Sequence, residues 1–245
     1  MAHQTLALVG AVGGAGTTRT AVECGAILAR DGRDVAVLDA AFATQGLSDY
    51  VPGRIDTDLT NVLVEDEPIE NALRLLPTDV PGSLQMAPAR APFERVAQAK
   101  TAGAAERFER RITAAGSMYD VVILDTPPVA ANQSVAAVSA AEHIAVVAPA
   151  TRRGADGLAR MEGVLVDVGT AADSVIATYA ENTEALTEAD ARLPASDITD
   201  PSECPSCLRH DAPLAIPIAE AVEAVLDTPL SLDLEEPSGL DSYLP

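Results

Sequence analysis

Residues 5–20 read TLALVGAVGGAGTTRT, a short apolar run that ends in a glycine-rich loop followed by threonines. Over residues 17–32, apolar side chains recur at helical spacing at Ala21, Cys24, Ile27 and Leu28, and Gly32 is a typical helix stop. RDVAVLDA at 33–40 is apolar without alternation, as in a strand that is covered on both faces. Strand, loop, helix and strand in this order predict a right-handed βαβ unit with parallel strands.

The same alternation of elements continues along the chain. Further strands are predicted at 82–89, 119–128, 143–150 and 173–180, and helices at 58–76, 105–118, 134–141, 154–169 and 216–227. Residues 183–213 are polar and rich in Pro, Asp and Ser, which favours an irregular insertion, and residues 229–245 form an acidic tail. The sequence therefore predicts a single α/β domain over residues 1–228, with a doubly wound, mainly parallel sheet and helices on both faces.

The charge balance is strongly acidic, because 37 Asp and Glu residues outnumber 16 basic residues and the net charge is -21. Such a surface either repels nucleic acid and anionic lipid as part of the function or is an adaptation to high salt. The even spread of the acids favours the second interpretation, a halophilic source. Nucleic-acid binding needs clustered Lys and Arg, so no direct nucleic-acid contact is expected.

Several features of the sequence point to a cytoplasmic protein. No apolar run reaches the ~18 residues of a membrane span, so no membrane contact is expected. No basic flank precedes the first apolar run, as it would in a signal peptide. The three cysteines do not have the spacing of a disulfide framework, which favours a reducing compartment.

The loop at residues 10–20 has the residue types of a phosphate-binding loop. Gly13, Gly14 and Gly16 allow backbone N–H groups to approach a phosphate at a helix N-terminus, which favours negative charge. Thr17 and Thr18 open the helix and offer hydroxyl groups to a phosphate or a magnesium ion. The loop contains no lysine to neutralise the phosphates. The pattern indicates either a nucleotide site with an incomplete set of charges or a tight turn that only packs against the sheet.

VGGAGTTRT at 12–20 resembles the deviant Walker A loop of the MinD/ParA family of P-loop ATPases, whose pattern is K-G-G-x-G-K-T-T. RDVAVLDAAFATQGLSDY at 33–50 is similar to that family's second strand and switch region, and YDVVILDTPP at 119–128 to its Walker B strand. The resemblance runs in order over residues 5–228. It implies that ATP or ADP binds together with magnesium, which Thr18 and Asp125 would hold. It also implies a nucleotide-binding set of Gly13, Gly14, Ala15, Gly16, Thr17, Thr18 and Arg19.

The chain departs from this family pattern at its charged positions. The family's signature lysine falls on Val12, its Walker lysine on Thr17, and the second Asp of its D-x-D switch motif on Ala41. Asp39, the first Asp of that motif, remains as a possible catalytic residue, and Thr178 lies near the place of the family's base-side Asn. Losing these charges weakens both the binding of a triphosphate and the stabilisation of phosphoryl transfer.

The resemblance and these losses together predict a degenerate member of the family, a pseudo-ATPase that regulates positioning or partition and is not an efficient enzyme. We expect it to act as a homodimer, or as a heterodimer with an intact MinD/ParA-type protein. A slow ATPase of a partition or cell-positioning system is one alternative, in which Arg19 or a partner's residue replaces the lysine. Arg19 lies two residues past the Walker position, about 200° round the helix, so this role requires a rearranged loop.

ECPSCLRH at 203–210 contains the pair Cys204 and Cys207. Two thiolates at this spacing can share a metal ion, but a structural zinc site needs four ligands, so Cys24, His210 or a second subunit would have to complete it. The Mrp-type iron–sulfur carriers, which are also MinD-like, hold a cluster between two chains with a late C-x-x-C. A turn without metal, a zinc site and an iron–sulfur site all remain open. A metal or iron–sulfur carrier is therefore the second alternative function.

Overall fold

The computed structural model describes residues 3–181, 183–209, 211–232 and 234. Within these residues, eight strands form one sheet: β1 Gln4–Gly10, β2 Asp34–Asp39, β3 Arg74–Leu75, β4 Ser83–Ala87, β5 Val121–Thr126, β6 His143–Pro149, β7 Ser174–Thr178 and β8 Ala191–Arg192. The strand order is β3-β4-β2-β5-β1-β6-β7-β8. Neighbouring strands are parallel, except that β3 runs antiparallel to β4.

Helices cover both faces of this sheet. The described part of the chain contains seven α-helices: α1 Thr17–Arg30, α2 Leu59–Glu65, α3 Phe93–Ala99, α4 Ala102–Gly116, α5 Asn132–Ala140, α6 Arg152–Asp167 and α7 Ala215–Leu226. Successive residues of β1 point to opposite faces, so Leu6 and Leu8 join the core under α1 and α7, whereas Ala7 and Val9 join the core under the helices of the other face. The predicted doubly wound, mainly parallel α/β fold is confirmed.

The sequence did not predict the short edge strands β3 and β8 or the helix α3. Two-residue strands carry no hydrophobic periodicity, so only their pairing with a neighbour defines them. Strand β8 lies inside the segment predicted as irregular, where it pairs in parallel with Ile176 and Ala177. The same segment also contains two 3-10 turns, and it places Ser206 and Cys207 in the buried interior beside α1. The segment is thus part of the core.

The beginning of the acidic tail is also packed. The Leu230 N–H donates to Glu223 at 2.8 Å, and the Ser231 N–H donates to the Asp31 carboxylate at 2.7 Å. The remaining tail residues, 233 and 235–245, lie outside the described residues. None of the described helices is both long enough and apolar enough to cross a membrane.

Candidate functional site

The glycine-rich loop lies at the carboxyl edge of the central strands. It connects the end of β1 at Gly10 to the start of α1 at Thr17. Strand β5 lies next to β1, and β2 lies next to β5, with Asp39 opposite Asp125 in the register of these two strands. The carboxyl ends of parallel strands near a change in strand order are where α/β folds bind ligands. The topology therefore brings the loop and both acidic residues to one edge.

The loop has the open backbone shape that its glycines predicted. Gly14 and Gly16 have φ of +81° and +83°, which L side chains rarely adopt, and a Cβ at Gly13 or Gly14 would meet no atom within 4 Å. The Thr178 hydroxyl donates to the Ala15 carbonyl at 2.8 Å and fixes the loop from the side. No described side chain caps the N-terminus of α1. The first-turn N–H groups of α1 therefore point to a position where an anion fits.

A cleft surrounds the loop, and its empty volume, open mouth included, is about 860 Å³. The loop residues predicted to hold a nucleotide all line it: Gly13, Gly14, Ala15, Gly16, Thr17, Thr18 and Arg19. Asp125 lines it too, whereas Asp39 lies behind the wall, fully buried. Tyr50 and Tyr179, which sequence reasoning missed, complete the lining. The position of Tyr179 directly after β7 was the available signal, because residues at strand ends reach this edge.

The carboxylates of Asp39 and Asp125 are both buried. Asp39 accepts the N–H groups of Ala41 at 2.7 Å and Ala89 at 3.1 Å, while its burial and the charge of Asp125 raise its pKa well above the usual range. Burial also raises the pKa of Asp125 to about 6, although the Thr18 hydroxyl opposes this shift. Asp39 is thus tied to the backbone of two loops, and Asp125 faces the cleft.

Magnesium fits the residues beside Asp125. Its buried Oδ2 has no hydrogen-bond partner among the described residues, and Asp125 and Thr18 line the same cleft. A carboxylate oxygen and a hydroxyl are the protein ligands that Mg²⁺ takes in phosphate sites, with water and phosphate oxygens filling the other positions. The two residues predicted to bind the ion are therefore brought together.

The two positions that lack lysine have other roles. The Val12 side chain packs on α6, since a Cβ added at Gly157 would lie 2.4 Å from Val12 Cγ1. The Thr17 hydroxyl lies over Gly10, 2.8 Å from where a Cβ would stand. Among the described residues that line the cleft, Arg19 alone carries a positive charge. Burial raises the pKa of Tyr50 to about 12, so its phenol is a neutral group at physiological pH.

A second, smaller cavity lies beside the loop, and its empty volume, open mouth included, is about 400 Å³. It shares Gly16, Arg19 and Tyr179 with the first cleft. Apolar side chains form much of its wall: Leu193, Pro194, Leu214 and Ile218. Thr178, at the position near the family's Asn, also lines it. The largely apolar wall suits a chemical group that is less polar than a phosphate.

Cys204 and Cys207 are each held by hydrogen bonds within the protein. The Cys204 thiol donates to the Asp200 carbonyl at 3.3 Å, and the Cys207 N–H donates to buried Glu23 at 2.7 Å. Burial raises the pKa of both thiols, which disfavours the thiolate that binds metal. Among the described residues no three His, Cys, Asp or Glu side chains are placed to hold one ion, and His210 lies outside them. The predicted zinc or iron–sulfur site therefore finds no support.

The fold and the loop together define a P-loop nucleotide-binding fold of the MinD/ParA type. The chain belongs to the AAA domain family, which matches residues 3–178. The resemblance read from the sequence is confirmed at the level of this family and fold.

Several solved structures have this fold at low sequence identity. One is the septum site-determining protein MinD from Pyrococcus horikoshii, complexed with Mg-ADP. The match covers 90% of this chain and 95% of the MinD chain, with 18% identity and a TM-score of 0.77. Another is a chain of the MinC:MinD cell division protein complex from Aquifex aeolicus. The match covers 94% of this chain and 98% of that chain, with 20% identity and a TM-score of 0.72. A third is a ParA family ATPase from Chlorobium tepidum. The match covers 91% of this chain and 92% of the ATPase chain, with 16% identity and a TM-score of 0.69.

Proposed function

We propose that this chain binds a nucleotide together with magnesium, without efficient hydrolysis, and acts as a regulatory positioning or partition protein. The observation that carries the proposal is the contrast within one cleft. The loop keeps the backbone conformation of a phosphate cradle at Gly14 and Gly16, while Val12 and Thr17 supply no charge. A ligand is bound by the backbone N–H groups and by magnesium, and phosphoryl transfer lacks the fixed cations that stabilise its transition state.

The polar groups that the cleft retains have separate roles in this proposal. The loop N–H groups and the start of α1 hold phosphate oxygens, and the Thr18 hydroxyl and Asp125 hold Mg²⁺. Magnesium supplies the positive charge that offsets the phosphates and the carboxylate of Asp125. Asp39 keeps the loops at Ala41 and Ala89 in place through its two backbone hydrogen bonds. With Ala41 at the second switch position, no carboxylate is available there to orient an attacking water.

Action through a second chain is part of this proposal. The MinD of Aquifex aeolicus assembles with MinC, and a protein of the same fold that does not turn over nucleotide has to work through an association. Both a homodimer and a heterodimer with an intact MinD/ParA-type protein satisfy this requirement. Sedimentation of the purified chain with and without Mg-ADP measures the first, and mixing it with such a protein measures the second.

Calorimetric titration with Mg-ADP and Mg-ATP tests nucleotide binding directly. Gly16→Val places a side chain at φ +83°, 3.4 Å from the Tyr179 hydroxyl, and is expected to abolish binding. Gly53→Val is the matched control, because Gly53 has φ +81° and no atom within 4 Å of its Cβ position. It introduces the same backbone strain outside the cleft and should leave binding unchanged. Absence of heat from the wild-type chain at millimolar nucleotide contradicts the proposal.

A further inference from the structure

Helix α1 holds the segment 198–209 through three polar side chains. Arg19, Glu23 and Arg30 are separated by four and seven residues, so they lie on one face of the helix. Glu23 accepts the Ser206 N–H and hydroxyl, each at 2.8 Å, and the Cys207 N–H at 2.7 Å. Arg30 donates to the carbonyls of Cys207 at 2.8 Å and Arg209 at 3.2 Å. The segment is thus attached to the same helix that begins at the phosphate loop.

Three N–H groups of the Arg19 guanidinium take part in this attachment. Its Nε donates to Glu23 Oε1 at 2.6 Å, its Nη1 to the Ile198 carbonyl at 2.9 Å and its Nη2 to the Ser206 hydroxyl at 3.2 Å. The Glu23 side chain is 0% exposed, and Arg19 is the basic group paired with it. Moving Arg19 to a phosphate would leave this buried carboxylate without its counter-charge, which is strongly unfavourable.

The segment that Arg19 holds continues into the wall of the smaller cavity. The cavity is lined by Leu193, Pro194 and Ser196. Ile198 follows two residues after Ser196. Arg19 and Glu23 line the same cavity from the side of α1. The Leu193 N–H donates to the Ala177 carbonyl, which fixes the start of this wall beside β7, whereas the chain beyond it at Pro194 and Ser196 is positioned by the contact of Arg19 with Ile198.

We propose that Arg19 is a positioning residue that fixes the wall of the smaller cavity and does not neutralise the phosphates of the ligand. This inference rests on the proposed nucleotide binding. It assigns the cavity to the uncharged nucleoside part of the ligand and makes Arg19 a determinant of affinity for that part. The loss of positive charge at the phosphate loop is then not repaired by Arg19.

The number of phosphates on the ligand separates the two roles of Arg19. Adenosine, AMP and ADP are titrated by calorimetry against wild type, Arg19→Ala and Arg19→Lys. A positioning role predicts that Arg19→Ala weakens all three ligands by the same factor, about tenfold, because binding then has to order the wall of the cavity. Arg19→Lys restores the charge beside Glu23 and is expected to recover part of this loss. A loss that grows from adenosine to ADP would show contact with phosphate and would overturn the inference.

Hydrogen exchange of the ligand-free protein gives a second, independent readout. The Ser206 and Cys207 amides donate to Glu23, and Arg19→Ala is expected to speed their exchange while amides of the central strands stay protected. Arg54→Ala is the control, because Arg54 pairs with Asp56 on the surface, 88% exposed. If Arg19→Ala does not fold, Ser206→Ala removes two of the contacts and leaves the ion pair. Unchanged exchange at residues 198–209 in the variant that folds overturns the inference even where wild-type protein binds no nucleotide.

Discussion

Restoring a lysine to the phosphate loop should strengthen the binding of ATP. Thr17 occupies the position of the Walker lysine, lines the cleft and is only partly buried, so a longer side chain at this position can reach into the cleft. The Thr17 hydroxyl lies 2.8 Å from the Cβ position of Gly10, so a lysine side chain has to leave this contact and point into the cleft. Thr17→Lys therefore adds one positive charge beside the phosphates and loses the contact of the threonine with Gly10.

The size of the effect follows from the geometry of a lysine in such a loop. An ammonium group about 4 Å from a phosphate oxygen gains about 4 kcal/mol at an effective dielectric constant of about 20. Ordering the lysine side chain costs about 2 kcal/mol. The remaining gain of about 2 kcal/mol corresponds to an affinity about 30 times higher. The gain should be smaller in molar potassium chloride, because salt screens charges at an open cleft.

Calorimetric titration with Mg-ATP measures this gain against a matched control. Thr113→Lys adds the same charge on the exposed side of α4, far along the chain from the cleft, and should leave the affinity unchanged. Hydrolysis is expected to stay slow in Thr17→Lys, because Ala41 still replaces the second acidic residue of the switch. Equal affinities of Thr17→Lys and Thr113→Lys for Mg-ATP would refute the view that missing charge limits this site.

Three further predictions concern stability and reactivity. Gly157→Ala forces a Cβ to within 2.4 Å of Val12 Cγ1 and should lower the free energy of unfolding. Gly163→Ala, with open space around it on the same helix, should raise the free energy of unfolding by up to about 1 kcal/mol, and urea unfolding measures both. The raised pKa of Asp125, about 6, means that the folded chain binds the proton more tightly than the unfolded chain. The contribution of Asp125 to stability therefore falls as the pH rises from about 4 to above 6. Urea unfolding with chelator should find Asp125→Asn more stable than wild type at about pH 8, by up to about 3 kcal/mol, and the difference should shrink toward zero below about pH 4. Cys207 is fully buried and its thiol pKa is raised, so maleimide should label it only after unfolding; rapid labelling of the native chain would contradict its placement.

Much of the candidate site could be predicted from the sequence, because its parts are contiguous. The glycines, Thr17 and Thr18 form one loop between a strand and a helix, and a loop of this composition adopts few backbone conformations. Asp125 lies near the carboxyl end of the apolar strand β5, and the parallel order of strands brings it to the loop. Tyr179 was missed although its position directly after β7 was a signal, and Tyr50 was missed because it ends a 3-10 turn, where no strand or helix pattern marks it.

The role of Arg19 could not be read from spacing. The position of Arg19 on α1 indicated only that its side chain faces away from Thr17, the position of the Walker lysine. Its partners Ile198 and Ser206 are 179 and 187 residues further along the chain, in a segment without periodicity. The packing of Val12 on Gly157 is similar, because the two residues meet only when α6 docks beside the loop.

The sequence by itself determined the fold class, the family and the place of the phosphate loop. Apolar periodicity and glycine positions affect the conformation of neighbours within a few residues, so they can be recognised from the sequence alone. The tertiary structure alone decided how the remaining charges are used: Arg19 is paired with buried Glu23, and Asp125 faces the cleft with an unpartnered oxygen. Charges interact through space with whatever the fold brings near them, and burial sets the strength of that interaction.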